Sequence, residues 1–332
     1  MLTVYVPGPN GLLPYAPVPG TPVPPEAVWI DLYQPALAEV QRVEQALDLA
    51  LPTREEMQEI EVSSRLYQED GALFMTAVVL VQSDTEHPET TAVTFVLKGD
   101  HLVTVRHAEP KPFRQFITRA SRHSALKRGD QVLNGLLEAV IERAADILER
   151  VTTRVDALSM EVFMRSGSAA SGKAVSGKTV KEFRDFQEIL SEVGKTGDVA
   201  SRARESLMSI GRLLAFLGQG LPKQAKDPKA QVKVLWRDVQ SLLDHANFVA
   251  GKITFLLDAT LGMVNIEQNA IIKIFSVVSV VFLPPTLVAS MYGMNFKIIP
   301  ELEWTFGYPW ALCLMVVSAV APFLYFKRRG WL

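Results

Sequence analysis

Two uncharged apolar runs near the C-terminus constrain this chain most. Ile274–Met291 is eighteen residues without a charge, and Phe306–Phe326 is twenty-one. Both reach the length a helix needs to cross a bilayer. Two buried core helices are the alternative, but uncharged runs this long are uncommon in soluble cores. Yet 21% of the 332 residues are charged. That mixture predicts a soluble body carrying a small membrane part rather than a polytopic bundle.

The arrangement of the runs predicts an orientation. Lys327-Arg328-Arg329 follows the second run, whereas the connection between the runs holds only Lys297. The positive-inside rule then places the C-terminus in the cytoplasm, and two spans place the N-terminal body there too. Met1–Pro25 has no basic segment and no apolar segment of the kind a signal peptide carries. With eight prolines it reads as an irregular arm. Trp304, Tyr308 and Trp310 suit one membrane interface, Tyr325 and Trp331 the other.

Upstream, Val28–Leu32 reads as a buried strand and Pro35–Leu51 as helical. Thr53 and Glu56 stand at capping-box spacing for a short helix. Runs of β-formers at Arg65–Tyr67, Leu73–Val81, Thr91–Leu97 and Leu102–Arg106 are punctuated by turn residues, which predicts hairpins. Residues 1–125 thus read as an α/β domain. Helical spacing takes over at Gln131–Arg165. Gly167–Gly177 is rich in Ser, Gly and Ala and reads as a flexible connection. A second helix is expected over Thr179–Leu217. From about Pro228 no strong breaker occurs before Pro284, so one helix of about 65 residues, about 95 Å, is expected to run into the first span. Residues 126–270 form this helical stalk. The first span is 271–292, the connecting loop 293–305, the second span 306–326 and the basic tail 327–332.

Two spans cannot enclose an aqueous path, so transport would require several copies. A heptad register on the first span shows which face would line it. Positions a (Asn269, Ser276, Leu283, Ser290) and d (Ile272, Ser279, Thr286, Gly293) collect every hydroxyl residue between Ile271 and Met291 on one seam. Such hydroxyls either line a pore or bond to neighbouring helices and their own backbone. Leu283 and Ile272 would be apolar constrictions. Pro284 and Pro285 are expected to bend the helix or free carbonyls.

The loop between the spans opens Tyr292-Gly293-Met294-Asn295, which resembles the Gly-Met-Asn signature of the CorA family of magnesium transport proteins. The resemblance covers Asn265–Leu332: Asn-Ile-Glu-Gln-Asn ahead of the first span, Pro-Glu-Leu in the loop, Phe-Gly-Tyr-Pro opening the second span, and Tyr-Phe-Lys-Arg-Arg-Gly-Trp-Leu at the end. It implies a homopentameric funnel in a bacterial inner membrane. Five first spans line the pore, and a Gly293-Met294-Asn295 filter in each subunit forms the mouth. Asn295 supplies amide oxygens. Asn269, Ile272, Phe275, Leu283 and Thr286 match pore-lining family positions, beside Ser276, Ser279 and Ser290 from the seam. The implied function is passive, potential-driven Mg2+ influx gated by cytoplasmic Mg2+, with Co and Ni as further cargo. Asp238, Asp244 and Asp258 are candidate regulatory metal ligands, and Lys273 with Lys327, Arg328 and Arg329 a basic boundary. Glu301 and Glu303 would concentrate cations at the mouth. Lys297 stands where many members carry an acid, which weakens that position's pull on cations.

Other classes find little support. The 34 basic and 36 acidic residues nearly balance, against nucleic acid as a partner. Gly172-Lys173 and Gly177-Lys178-Thr179 lack the spacing of a phosphate loop, against a nucleotide. No nucleophile motif points to an enzyme, and the five histidines show no ligand spacing. Asp84, Glu86 and His87 read as a polar loop. No cofactor is expected beyond transported and regulatory Mg2+; the expected partners are further copies of the chain, the bilayer and divalent cations. A zinc transporter of the same superfamily and a non-conducting membrane-anchored sensor are the alternatives.

Overall fold

The computed structural model describes residues 1–16, 21–85, 88–122, 126–169, 178–221, 226–295 and 304–330. The N-terminal part holds strands β1 (Leu2–Pro7), β2 (Leu12–Tyr15) and β3 (Trp29–Tyr33), then helices α1 (Leu37–Leu47), α2 (Arg54–Gln58) and α3 (Val62–Arg65). Strands β4 (Leu66–Glu69), β5 (Ala72–Val81), β6 (Glu89–Lys98) and β7 (His101–Arg106) follow, and then helix α4 (Lys111–Ala120). The seven strands form one sheet in the order β2-β1-β3-β7-β6-β5-β4. All neighbours are antiparallel except β3 and β7, which run parallel with Asp31 opposite Thr104 and Tyr33 opposite Arg106.

The irregular arm expected over Met1–Pro25 is corrected by β1 and β2. The prolines are tolerated by position: Pro7 ends β1, and Pro14 lies in β2, the edge strand, where a missing N–H breaks no ladder on the open side. Helix α4 was not expected either. Pro110 is its N-cap and Pro112 sits in its first turn, where an N–H has no intrahelical partner. The capping box is present as expected: the Glu56 amide donates to Thr53 Oγ1 at 3.3 Å, and the Thr53 amide donates to Glu56 Oε2 at 2.7 Å.

A polar network lies inside the sheet. The Arg106 guanidinium donates to both Asp31 carboxylate oxygens, at 2.8 Å to Oδ2 from its terminal nitrogen. Thr104 donates to Asp31 at 2.7 Å and accepts from the Trp29 indole at 2.9 Å. Arg106 also lies 4.5 Å from the centroid of the Tyr33 ring. Burial, with the nearby Asp31 charge, pushes the Tyr5 hydroxyl pKa up to about 12.

Three long helices follow: α5 (Gly129–Ala169), α6 (Lys178–Gly220) and α7 (Lys226–Tyr292). Helix α5 begins against β7. Its Gly129 amide bonds the Asp100 carbonyl at 2.7 Å, and a Cβ there would sit 2.5 Å from the Leu102 amide nitrogen. Part of the expected flexible connection, 167–169, is helical; 170–177 lie outside the described residues. The expectation of one helix up to Tyr292 is met, since α7 spans 67 residues with Pro284 and Pro285 inside it. Helix α8 (Gly307–Arg328) is the last element.

The chain divides into two compact units, Met1–Glu161 with Leu190–Leu256, and Val162–Ile189 with Leu257–Leu332. In the first, the sheet core includes Ile30, Leu32, Val96 and Val103, and Leu133, Leu136 and Leu137 of α5 are fully buried.

Candidate ion pathway

The C-terminal part of α7, the turn after it and α8 belong to the second unit. Both helices are long and apolar enough to cross a membrane. Their large side chains lie open: Phe275 is 67% exposed and Leu283 71%. What is covered follows helical spacing. On α7, Lys273, Val277, Val281, Pro284, Pro285, Val288 and Tyr292 are buried or half-buried. On α8 the corresponding stripe is Gly307, Ala311, Met315, Ser318, Ala319, Pro322 and Phe326. Small residues dominate its N-terminal half, as where helices approach closely in a membrane.

The seam lies on the other side of α7. At about 100° per residue, its positions centre roughly 160° from the covered stripe. Asn269, Ile272, Phe275, Ser276, Ser279, Leu283, Thr286 and Ser290 are all exposed. The Ser276 hydroxyl donates to the Ile272 carbonyl at 2.8 Å, Ser279 to Phe275 at 2.9 Å and Thr286 to Phe282 at 2.8 Å. Each hydroxyl therefore has its proton engaged and turns oxygen lone pairs outward. Pro284 and Pro285 carry no N–H, so the carbonyls of Val280 and Val281 receive no bond from four residues on.

The seam ends at the turn. The Gly293 amide closes the helix on the Ala289 carbonyl at 2.9 Å, and the Met294 amide reaches Met291 at 3.4 Å. A Cβ at Gly293 would stand 3.1 Å from the Ala289 carbonyl oxygen, closer than most side chains tolerate. Met294 and Asn295 are exposed. Glu301, Glu303 and Lys297 lie outside the described residues. At the start of α8 the rings of Trp304, Tyr308 and Trp310 are exposed, with the Trp304 and Trp310 centroids 6.4 Å apart. At its other end Lys327 and Arg328 occupy the last turn, and Arg329 lies over the Tyr325 ring.

The aspartates Asp238, Asp244 and Asp258 are all exposed on α7, spread over twenty residues. They are not brought together with one another, and no group of three or more His, Cys, Asp or Glu side chains able to hold a metal occurs among the described residues. Asp84, read from sequence as part of a polar loop, lies in a turn after β5 and is in addition an ionic hub. Lys111, Arg143 and Arg150 reach it at 2.9, 2.6 and 2.5 Å. Those hydrogen bonds, Lys111 foremost, hold its carboxyl well below the usual carboxylate range. Its partners lie 27 to 66 positions away, which no local pattern reveals.

The sequence matches the family described as CorA-like Mg2+ transporter protein over residues 25–328. It is 38% identical over 311 residues to the magnesium transport protein CorA of Yersinia pseudotuberculosis, covering 92% of each chain. It is likewise 38% identical over 310 residues to the magnesium transport protein CorA of Escherichia coli K12, again with 92% of each chain covered. The solved CorA magnesium transporter of Methanocaldococcus jannaschii superposes with a TM-score of 0.73 over 100% of this chain and 99% of that one, at 19% identity. That last likeness concerns the fold.

Proposed function

Because this chain belongs to the CorA family of magnesium transport proteins, which are ion transporters and not enzymes, we propose that it admits Mg2+ passively as a homopentamer of a bacterial inner membrane. One observation carries the reading. The first span keeps its hydroxyl seam on the side away from its covered stripe, and the seam leads directly to Gly293-Met294-Asn295. Parallel copies packed around an axis would bring this seam inward, and the heptad spacing suits that arrangement.

The chemistry follows from the cargo. Mg2+ dehydrates reluctantly and is usually held with several waters. Neutral amide oxygens from a ring of Asn295 residues would accept from that hydration shell and bind weakly enough to release it. Glu301 and Glu303 would raise the local cation concentration. An inward-negative potential contributes about 4.6 kcal/mol per 100 mV for a divalent ion, so no energy-coupling site is required. Both termini lie in the cytoplasm, anchored by Lys273 and Lys327–Arg329 at the boundary. Asp238, Asp244 and Asp258, exposed on α7, are offered as regulatory Mg2+ ligands shared between subunits.

The test is Mg2+ flux into proteoliposomes under an imposed inward-negative potential, for wild type and Asn295→Ala. Flux is expected to collapse in the variant while the oligomer stays intact. Equal flux would remove Asn295 from the mechanism. Zn2+ passing in place of Mg2+ would make the protein a zinc transporter, and a folded oligomer passing neither would be a sensor. Co2+ and Ni2+ are expected to follow the Mg2+ route in the same assay.

A further inference from the structure

We propose that the cleft around Asp84 binds a phosphate dianion, either inorganic phosphate or the phosphate group of a small ester. The cleft lies in the first compact unit, where the turn after β5 meets Lys111 at the start of α4 and Arg143 and Arg150 on α5. Its volume is about 820 Å3. The site is independent of the ion pathway.

Charge singles the cleft out. Lys111, Arg143 and Arg150 all reach one carboxylate, that of Asp84, so three positive charges against one negative leave +2. A phosphate dianion would cancel that excess. Arg143 is the most unusual of the three, since a guanidinium is seldom enclosed unless its donors are taken. Arg143 is 9% exposed. Its Nη2 donates to Ser83 and to Asp84, at 2.6 Å each, but its Nε, closed off from solvent, has no partner. An enclosed side chain that borders the cleft is thus short of an acceptor. Lys111 and Arg150 are about half exposed, and each donates one bond to Asp84 and keeps further N–H groups for a visitor.

A phosphate suits these donors better than a halide does. Its oxygens accept from several cations at once, and a guanidinium can grip two of them in parallel. Asp84 has only two oxygens, with Lys111 on Oδ2 and both arginines on Oδ1. A dianion entering from the cleft would share the cations with it. Asp146 and Glu149 also border the cleft and oppose an anion, and Arg154 there is already paired with Glu192. Both opposing carboxylates are exposed, where water and salt screen them, whereas Arg143 is enclosed. The enclosed cation therefore decides the sign of the site.

The experiment is calorimetric titration of the purified full chain, freed of divalent cations. Sodium phosphate and glycerol 3-phosphate are compared with sodium chloride at matched ionic strength. Saturable binding of phosphate, and not of chloride, is expected. The tighter of the two phosphates identifies the source, and either supports the site. Lys111→Gln and Arg150→Gln alter half-exposed side chains and spare the core; each is expected to weaken binding about tenfold, for one charged hydrogen bond lost. Asp84→Asn removes the competing carboxylate and is expected to tighten binding. Arg119→Gln, at an ion pair with Glu142 outside the cleft, should leave it unchanged. Wild type without saturable phosphate binding overturns the proposal, as does binding that Lys111→Gln and Arg150→Gln leave untouched. A folded Asp84→Asn chain that binds more weakly also overturns it, since the cluster would then be an internal ion pair and nothing more.

Discussion

The sheet body and the paired spans treat large side chains in opposite ways. In the body Phe95 and Phe113 are 0% exposed, and even the charges of Asp31 and Arg106 are enclosed and paired. In the spans Phe275, Phe282 and Leu283 are open, and the few fully covered positions are Val277, Gly307 and Ala311. The body largely satisfies itself: its sheet core packs apolar side chain on apolar side chain, and its buried charges Asp31 and Arg106 meet each other. The spans leave their apolar surface for something outside the chain. Hydrocarbon suits most of it, and the proposed assembly would turn the seam toward its axis. A long apolar stretch therefore means one thing where its residues disappear and another where they stay exposed.

That contrast can be broken most forcefully in the body. Arg106→Ala leaves the Asp31 carboxylate enclosed without its cation and is expected to cost about 3–5 kcal/mol. Denaturant unfolding of the purified full chain, followed by tryptophan fluorescence, measures it. A loss under about 1 kcal/mol would mean that water reaches the pair and that the body is less closed than described. A matched pair of phenylalanines sharpens the contrast next. Phe95→Ala is expected to destabilise by about 3–5 kcal/mol, whereas Phe282→Ala, 65% exposed, should barely move the melting temperature. Equal effects would show that the spans are packed as tightly as the sheet.

The smallest effect is expected from pH. The folded Asp84 carboxyl is held below the ordinary carboxylate value of about 4. Its ion pairs therefore stabilise fully above that value, and the contribution is lost as pH falls from there through the lowered folded pKa. The difference in melting temperature between wild type and Asp84→Asn should shrink as pH falls below 4. Because Asp84 is half-exposed, solvent screening keeps the effect modest.

The parts legible in the sequence are those written in local spacing. The uncharged runs, the Thr53–Glu56 box and the hydroxyl seam each declare themselves within a few turns of chain. Strands β1 and β2 escaped because a proline reads as a strand breaker unless the strand is known to lie at an edge or to end there. Helix α4 carries its apolar pattern at Phe113, Phe116 and Ala120, yet Pro110 and Pro112 obscured where it starts. The Asp84 hub and the Asp31–Arg106 pair join residues far apart in sequence, so only the folded chain reveals them. The seam itself was readable, but the direction of its hydroxyl protons was not, since that depends on side-chain rotation.

The Asp31–Arg106 pair also limits how the sequence can drift. Replacing either residue alone passes through a chain holding an enclosed charge without its counterpart, and few such chains remain folded. Replacing both at once, by well-fitting apolar groups, could be harmless. The two positions, 75 apart in the chain, are thus expected to change together or not at all among functional variants. Deep mutational scanning of the two codons in combination would reveal that ridge: single variants depleted, and some double variants surviving.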